Sequence, residues 1–541
     1  MSQKESFSDD NIEILEKYVS NIDGNVFVLK NLPEVIKGAL FSKYSRSSLG
    51  LRSLLLKEFI QNEETSFTEI SDVDSKFVVE QSDGIKKAQN FYDRILDGFG
   101  DDSIGELGGA HLAVENASMI AVKAVEDLRI GGSPLEKSTR YIYFDQKVNG
   151  EYQFYKEPVL MASAYRELYL ETCNSLFETY AKLIPLTTEL IQKDFPHDQT
   201  ISSIAYKAAL RAKVLDLLRG LLPSSALTNM GVFGNGRFFE CLIKKLATSN
   251  LSEVQKISAE SFTELSKTIP SFVRRAESSS KYQTSFVNYS EKLKSNLKKI
   301  SKDYSKEIKI NDGEGVKLIN YDKDSLSKVL ASLLFENSNV PLSSLQEAMK
   351  NISNEEIINI FDSVSSIREN RRHKSPRALE NAYFTFEITK DFGIYRDLQR
   401  HRMLTQERQL LSCDLGYFVP DEIKNTSFGK EYISAMEKAK KAFDIIAQEL
   451  PEEAQYIVPM AYNIRWYFTV NLRSLQWLCE LRSAPAGHAN YRRVAQDMVK
   501  QVLDVFPQFE SFFKFVDFDG HNLGRMNQEV KRVEKEALNE K

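Results

Sequence analysis

Two short segments of the 541-residue chain concentrate side chains that could bind a phosphorylated ligand. Residues 400–402 read Arg-His-Arg, and residues 133–141 read SPLEKSTRY. Arginine can hold a phosphate through two parallel hydrogen bonds, and a short loop with hydroxyls and exposed backbone amides can cradle the same group. Taken alone, the first segment is equally well a solvated basic turn in which Asp397 pairs with Arg400. The second, taken alone, is equally well a surface turn opened by Ser133 and Pro134.

A third candidate lies on a predicted helix near the end of the chain. Asn471 and Arg482 are eleven residues apart, about three helical turns, so one face of the helix carries both, together with Leu475 and Leu478. Arg473 follows Asn471 by two positions. Single arginines on amphipathic helices often lay their stems over apolar surface instead, and that explanation stays open.

The composition argues against several other classes of site. The net charge of −5 does not favour nucleic-acid binding by bulk charge. No apolar run approaches the ~18 residues of a membrane helix, and the polar, acidic N-terminus is unlike a secretory signal. The four cysteines are scattered and the six histidines have no metal-ligand spacing. We therefore expect a cytoplasmic protein with reduced thiols, without metal, membrane or nucleic-acid binding.

The elements around the Arg-His-Arg triplet follow from local patterns. Residues 383–389 (YFTFEIT) partly alternate and are rich in aromatic and β-branched side chains, which predicts a strand. Asp391 is placed to cap a helix that we expect from Phe392 to about Met403. In the first half, residues 117–128 predict the matching helix, stopped by the glycines at 131 and 132.

The two halves of the chain also echo each other. Residues 103–133 can be laid without gaps on residues 375–405. Farther on, Asn235 and Arg237 match Asn471 and Arg473 when the segments around them are aligned. Between the halves, the stretch 276–323 is rich in Ser, Lys and Asn, which predicts a solvated helix or linker. Such self-similarity indicates a tandem duplication.

The first two segments each resemble a different part of one signature, the RHR-x-x-S-x-x-E-x-S-x-R-Y loop of the flavin-dependent thymidylate synthases. The second half keeps the RHR triplet, with Thr405 in place of the first Ser, and lacks the Ser-x-Arg-Tyr end. The first half lacks the triplet and matches the rest of the loop at Ser133, Glu136, Ser138, Arg140 and Tyr141.

The resemblance implies an α+β fold with two tandem flavin-dependent thymidylate synthase-like domains. Each would hold a mainly antiparallel sheet with packed helices, over residues 1–280 and 321–541, with residues 281–320 between them. It also implies the activity, which is FAD-dependent reductive methylation of dUMP to dTMP with methylenetetrahydrofolate and NADPH as co-substrates. Because the flavin carries the redox chemistry, the protein mainly binds, orients and polarises.

The resemblance further implies the roles of individual residues. Arg482 matches the arginine that polarises the uracil ring. The nucleotide would be bound by Glu136, Ser138, Thr139, Arg140, Arg219, Asp397 and Arg400. FAD would be bound by Arg400, His401, Arg402, Asn471, Arg473, Ser103, Glu106, Asn235 and Arg237. No metal is implied.

The losses in the two halves are complementary. Leu246 stands in the first half where the ring-polarising arginine belongs, and Gln455 stands in the second half at the counterpart of Arg219. In the family, each nucleotide site joins two subunits. We therefore predict one complete site shared between the two halves and one blank site. Since the family works as a tetramer, two such chains would form a homodimer.

Departures from the family pattern leave alternatives open. Asp397 stands where the family usually has Gln against the pyrimidine, so a related flavin enzyme acting on another pyrimidine nucleotide is one alternative. A flavin-binding H-x-S/T-x-x-E element is degenerate in both halves, with Asp101 for His in the first and its acid displaced to Glu380 in the second. A catalytically inactive nucleotide-binding scaffold and, last, a plain helical scaffold are the others. His488 alone is best explained as a structural histidine.

Overall fold

The computed structural model describes residues 6–32, 40, 44, 47–61, 109–128, 130–308, 313–520 and 523–539. Within these ranges the strands form two four-stranded antiparallel sheets, in the orders β1-β2-β4-β3 and β5-β6-β8-β7. The strands are β1 Val26–Leu29, β2 Gly109–Ser118, β3 Gly132–Glu136, β4 Leu227–Asn235, β5 Gly315–Tyr321, β6 Tyr383–Asp391, β7 Thr405–Arg408 and β8 Asn463–Asn471. The fold is α+β, as predicted, and the two sheets have the same strand order.

Helices make up most of the remaining structure. In the first half of the chain they are α1 Asp9–Tyr18, α2 Leu51–Leu55, α3 Met119–Glu126, α4 Pro158–Ala162, α5 Arg166–Asp194, α6 Ser203–Leu218, α7 Gly236–Ala247, α8 Ser252–Ser266 and α9 Pro270–Val273. After these follow α10 Lys281–Ser305, α11 Ser325–Phe335, α12 Leu342–Met349, α13 Asn354–Ser365, α14 Phe392–Leu398, α15 Asp421–Lys424, α16 Gly429–Ile446, α17 Leu472–Arg482, α18 Ala489–Val505 and α19 Met526–Asn539. A π-helical turn, Leu56–Ile60, continues α2, and short 3₁₀ turns cover Arg219–Leu221, Arg274–Ala276, Arg377–Asn381, Glu453–Ile457 and Pro507–Phe513.

The chain divides into two compact units. Unit 1 comprises Met1–Glu178, Leu222–Asn311 and Lys441–Val458 and contains the first sheet. Unit 2 comprises Thr179–Leu221, Asp312–Lys440 and Pro459–Lys541 and contains the second sheet. Each unit therefore includes a segment from the other half of the sequence. In particular, α6 and the turn that follows it belong to unit 2.

The core of the second sheet explains the alternating pattern of β6. Phe384, Phe386 and Ile388 are buried, and their partners on β8 are the buried Val470, Phe468 and Trp466. Successive side chains of a strand point to opposite faces, so an apolar residue at every second position builds one packed layer. The strand predicted at 383–389 is confirmed and extends to Asp391.

The helix after β6 begins where we predicted and ends earlier. Asp391 caps it, since its Oδ1 accepts a hydrogen bond from the backbone N of Ile394 at 3.0 Å. The helix stops at Leu398, not at Met403, because Thr405 already pairs with Thr469 in the sheet. The Arg-His-Arg triplet therefore lies in the short connection between α14 and β7.

The first half repeats this arrangement and then diverges. Ser118 ends β2 and caps α3 by accepting from the backbone N of Ala121. Gly131 has a φ of +87°, a left-handed conformation that glycine adopts without strain, and β3 follows at Gly132. The stretch predicted as a helix or linker contains α10, in which Gln283 is the buried residue.

Candidate functional site

A cleft of about 650 Å³ in unit 2 brings together six of the residues singled out from the sequence. They come from two elements, the connection between α14 and β7 and the helix α17 with its cap. The six are Arg400, His401, Arg402, Asn471, Arg473 and Arg482. Lining residues from the segment 368–380 complete the cleft, among them His373, Ser375 and Glu380 of the degenerate element. Its wall is strongly cationic, as a site for a phosphorylated cofactor requires.

Helix α17 sets the positions of three of these residues. Asn471 is its N-cap, and the side-chain Oδ1 accepts from the backbone N of Ser474 at 2.8 Å. Arg482 is the last residue of the helix. The predicted single helix carrying Asn471 and Arg482 is therefore confirmed, and its rigid length fixes the separation of the two ends.

Arg482 is held by two hydrogen bonds. Its Nε donates to Nε2 of His401 at 3.0 Å, and its Nη2 donates to the backbone O of Asp397 at 2.6 Å. The guanidinium carbon also lies 5.3 Å from the centre of the Tyr491 ring. Within the described part of the chain Nη1 has no hydrogen-bond partner, so this nitrogen is available to a ligand in the cleft.

His401 is neutral in this arrangement. Burial and then the neighbouring Arg482 lower the pKa of His401 from 6.5 to about 3. A neutral imidazole that accepts a hydrogen bond at Nε2 carries its proton at Nδ1. His401 thus adds no charge to the triplet and serves as an acceptor for Arg482.

Arg473 is tied to the degenerate element of the second half. Its Nε donates to the backbone O of Ser375 at 2.8 Å, and its Nη1 donates to Oε1 of Glu380 at 2.6 Å. Burial alone would raise the pKa of Glu380, but hydrogen bonds from Arg473 and Arg377 hold it below its usual value. Glu380 is therefore an ionised carboxylate that orients Arg473 at the cleft.

The first-half residue Arg219 lies in unit 2 beside Asp397. Nη1 and Nη2 of Arg219 both donate to Oδ2 of Asp397 at 3.2 Å. Arg219 is 5% exposed and begins the 3₁₀ turn after α6. Burial raises the pKa of the neighbouring Asp391 to about 6, although Arg219 opposes that shift. Asp397 is thus the acid that pairs with Arg219.

The loop that contains residues 137–141 lies in unit 1, after β3. The backbone N of Arg140 donates to Oγ of Ser138 at 3.2 Å, which closes a tight turn. Thr139 and Arg140 are buried. Glu136 is also buried and pairs with Nζ of Lys123 at 2.9 Å. The nucleotide-binding roles of Glu136, Ser138, Thr139 and Arg140 stay predictions.

The other first-half positions show the duplicated geometry. Asn235 caps α7 as Asn471 caps α17, because its Oδ1 accepts from the backbone N of Phe238 at 2.8 Å. Arg237 is exposed, and Leu246 packs in the core. Ser103 and Glu106 lie outside the described residues. FAD binding by these first-half residues stays a prediction.

The cleft contains functional candidates that the sequence patterns did not reveal. Arg368 forms a buried, two-pronged ion pair with Glu480, with Nη1 to Oε1 at 2.9 Å and Nη2 to Oε2 at 2.7 Å. Arg371 and Trp477 also line the cleft. Residues 368 and 480 are far apart in the chain, so no local pattern links them. Trp477 was detectable, since it stands one helical turn after Arg473.

His488 has a structural position. It caps α18, where its Nδ1 accepts from the backbone N of Asn490 at 3.2 Å. Its Nε2 forms a hydrogen bond with the backbone O of Asp216 at 3.2 Å. Both ring nitrogens are therefore used inside unit 2, which matches the structural interpretation of this histidine.

Searches for other kinds of site were negative over the ranges that the structure describes. There, no three or more His, Cys, Asp or Glu side chains are grouped so that they could hold a metal ion. No helix in those ranges has the length and apolar character needed to cross a membrane.

Comparison with known proteins shows matches over both halves. The profile of one family, described as thymidylate synthase complementing protein, matches residues 57–271 and again residues 317–508. A UPF0159 protein of Chlamydia muridarum (strain MoPn / Nigg) is 52% identical over 532 residues, 98% of this chain and 99% of that protein. A UPF0159 protein of Thermoplasma acidophilum is 32% identical, over 92% and 98% of the two chains.

Two further matches are more distant. A flavin-dependent thymidylate synthase of Clostridium tetani (strain Massachusetts / E88) is 27% identical over 230 residues, 38% of this chain and 86% of that protein. Among solved structures, a UMP/dUMP methylase from Streptomyces cacaoi bound to 5-Br dUMP matches with a TM-score of 0.31 and 16% identity, over 39% of this chain and 98% of that one. On the double profile match and the full-length relatives, the chain belongs to the thymidylate synthase complementing protein family, the flavin-dependent thymidylate synthases, and carries the family domain twice.

Proposed function

We propose that this protein catalyses the FAD-dependent reductive methylation of dUMP to dTMP, with methylenetetrahydrofolate and NADPH as co-substrates. The observation that carries the proposal is the cleft of unit 2, where the Arg-His-Arg triplet meets Asn471, Arg473 and Arg482. These residues were selected from the sequence for flavin binding and ring polarisation before any distance was known. The distant match to a protein named flavin-dependent thymidylate synthase supports the same activity.

The cleft has the chemistry that a flavin dinucleotide requires. Its volume of about 650 Å³ suits a cofactor of that size class. Arg400 and Arg402 would hold the diphosphate through their planar donors. Over the described ranges, Oγ of Ser375 is buried in the wall of the cleft without a hydrogen-bond partner. A bound polar ligand would satisfy that hydroxyl, as buried polar groups require.

Arg482 would do the electrostatic part of the chemistry. When bound, the flavin supplies the reducing equivalents for the methyl group. Arg482 presents Nη1 to the cleft while His401 and the backbone of Asp397 hold its other donors. A donor fixed in advance stabilises negative charge that develops on a uracil carbonyl oxygen, without reorganisation during the reaction. No thiolate is needed, and burial raises the pKa of the nearby Cys479 thiol well above its usual value.

We further propose that the nucleotide site draws on both halves of the sequence. Support comes from Arg219, a first-half residue that meets the second-half Asp397 within unit 2. The nucleotide phosphate would compete with Asp397 for the Arg219 guanidinium. Ser138 and Arg140 would contribute from the loop in the first half. Replacing Arg140 with Ala should then raise KM for the nucleotide and leave the affinity for FAD unchanged.

The first test is the visible spectrum of the purified protein after incubation with FAD and desalting. A retained flavin band that is perturbed further by dUMP would support the proposal. The same measurement on Arg400→Ala, with the distant surface variant Arg532→Ala as control, should show loss of flavin in the first alone. A colourless wild-type protein that does not respond to dUMP would contradict the enzyme proposal and favour the inactive scaffold.

A related flavin enzyme acting on another pyrimidine nucleotide is the second candidate. Asp397 favours it, because a carboxylate stands where the family usually has Gln. Asp397 also pairs with Arg219, which compensates its charge and weakens the case for base repulsion. A titration of the flavin band with dUMP, dCMP and 5-substituted pyrimidine nucleotides distinguishes the two, since a larger response to dCMP would favour the second candidate.

Two further proposals concern the assembly and its location. We propose a homodimer, since two fused chains would supply the four domains of the family tetramer. A molar mass by light scattering equal to one chain would contradict it. We also propose a cytoplasmic location, in keeping with the reduced cysteines expected there.

A further inference from the structure

An exposed tryptophan in the cleft of unit 2 has no role in the binding proposed so far. Trp477 lies on α17, lines the cleft and exposes 41% of its surface. The chain contains two tryptophans, and the other, Trp466, is 2% exposed in the core of the second sheet. Packing therefore accounts for Trp466 and does not account for Trp477. A half-exposed indole inside a cationic cleft points to an aromatic ring of a ligand.

Arg371 adds a hydrogen-bond donor beside the indole. Its guanidinium carbon lies 5.5 Å from the centre of the Trp477 ring, a cation–π arrangement. Nη1 of Arg371 is buried at the cleft and has no hydrogen-bond partner among the residues that the structure describes. The pair thus combines a flat stacking surface with an unused planar donor, which are the two features that recognise a heteroaromatic base.

The geometry of α17 separates this surface from the reaction centre. Trp477 and Arg482 are five residues apart, which places them about 140° apart around the helix axis. Arg473, by contrast, precedes Trp477 by one turn on the same face. The redox ring of a flavin dinucleotide must reach the pyrimidine at Arg482, so the ring left for Trp477 is the adenine. Lys374 and Arg402 line the same cleft and could hold the diphosphate between the two rings.

We propose that Trp477 and Arg371 form a stacking subsite for the adenine ring of FAD. This inference rests on the proposed flavin-dependent function and makes a distinction that the function alone does not. Without the subsite, FAD and FMN would bind through the same contacts with similar affinity. With it, the adenylate half contributes its own binding, and the protein selects the dinucleotide over the mononucleotide.

The two tryptophans permit a direct test by fluorescence. Trp466→Phe leaves Trp477 as the single emitter, and Trp477→Phe leaves Trp466 as the matched control. Each variant is titrated with ADP, FMN and FAD while indole emission is recorded. We expect ADP and FAD to quench the emission of Trp466→Phe and to leave that of Trp477→Phe nearly unchanged by ADP. If Trp466→Phe fails to fold, the wild-type titration minus that of Trp477→Phe gives the same quantity.

Affinity gives an independent readout. Trp477→Ala should bind FAD roughly tenfold more weakly, the effect of losing one stacked base, with FMN affinity unchanged and Trp477→Phe close to wild type. Arg371→Ala should also weaken FAD and spare FMN. Equal losses for FAD and FMN would overturn the adenine assignment, as would quenching of Trp477 by FMN as strong as by ADP. Unchanged FAD affinity in Trp477→Ala would overturn the subsite while the proposed function stands, whereas wild type that retains no flavin would remove both.

Discussion

Nε of Arg482 donates a hydrogen bond to Nε2 of His401 at 3.0 Å, which joins the end of helix α17 to the Arg-His-Arg triplet. The histidine is thereby an uncharged acceptor between cations, and its pKa is lowered to about 3 by burial and by Arg482. The triplet thus carries two positive charges and one positioning group. This relationship makes the contribution of His401 separable from that of the two arginines.

The first prediction concerns the pH dependence of stability. The folded-state pKa of His401 is depressed to about 3, so between pH 6.5 and 3 the unfolded chain binds a proton that the folded chain does not. His401 should therefore destabilise the fold progressively as pH falls through that window. We expect the stability of wild type to fall more steeply than that of His401→Gln from pH 6.5 to 4, in urea unfolding at several pH values. Parallel curves for the two proteins would contradict the depressed pKa.

The second prediction concerns Arg482. Replacing it with Ala removes the donor proposed to stabilise charge on the pyrimidine, so kcat should fall by about 10²- to 10³-fold. FAD affinity should change little, because the proposed cofactor contacts lie mainly on the triplet and the rest of α17. Arg482→Lys keeps the charge and loses the planar geometry, and should recover only part of kcat. Steady-state kinetics with a flavin-binding titration checks this, and an unchanged kcat in Arg482→Ala would remove the assigned role.

The third prediction concerns the ion pair between Arg219 and Asp397. Both side chains are largely buried, at 6% and 18% exposed, so Asp397→Asn leaves the Arg219 charge poorly compensated. We expect a loss of about 1–3 kcal/mol in the free energy of unfolding. A nucleotide phosphate should replace the missing carboxylate, so dUMP should raise the Tm of Asp397→Asn more than that of wild type. Arg219→Ala is the matched control and should lose the response to dUMP. Equal Tm shifts in wild type and Asp397→Asn would argue against phosphate binding at Arg219.

The fourth prediction uses the two equivalent helix caps. Asn471 and Asn235 each accept a hydrogen bond at 2.8 Å from the backbone of the following helix. Replacing either with Ala should cost about 0.5–2 kcal/mol of stability, and Asp at the same position should recover most of it. Flavin retention should fall more in Asn471→Ala, because Asn471 lines the cleft with the triplet. Calorimetry with flavin spectra of both variants tests this, and a larger flavin loss in Asn235→Ala would place the cofactor in the first half.

Local patterns in the sequence were sufficient for the elements around the cleft. The alternation of β6, the cap at Asp391 and the shared helix of Asn471 and Arg482 all depend on residues a few positions apart. The helix before the triplet was predicted too long, because the stop at Leu398 comes from pairing of Thr405 with Thr469 across the sheet. That pairing involves residues distant in the chain, and no local pattern contains it.

Single-sequence reasoning thus determined the α+β class, the tandem repeat and most of the residues that line the cleft. The tertiary structure alone decided which of them touch. Arg482 meets His401 across 81 positions, Arg368 meets Glu480 across 112, and Arg219 meets Asp397 across 178. Helical and strand periodicities act over a few residues, whereas these contacts depend on how the helices and sheets pack. For the same physical reason, the inclusion of residues 179–221 in unit 2 became visible only in the folded chain.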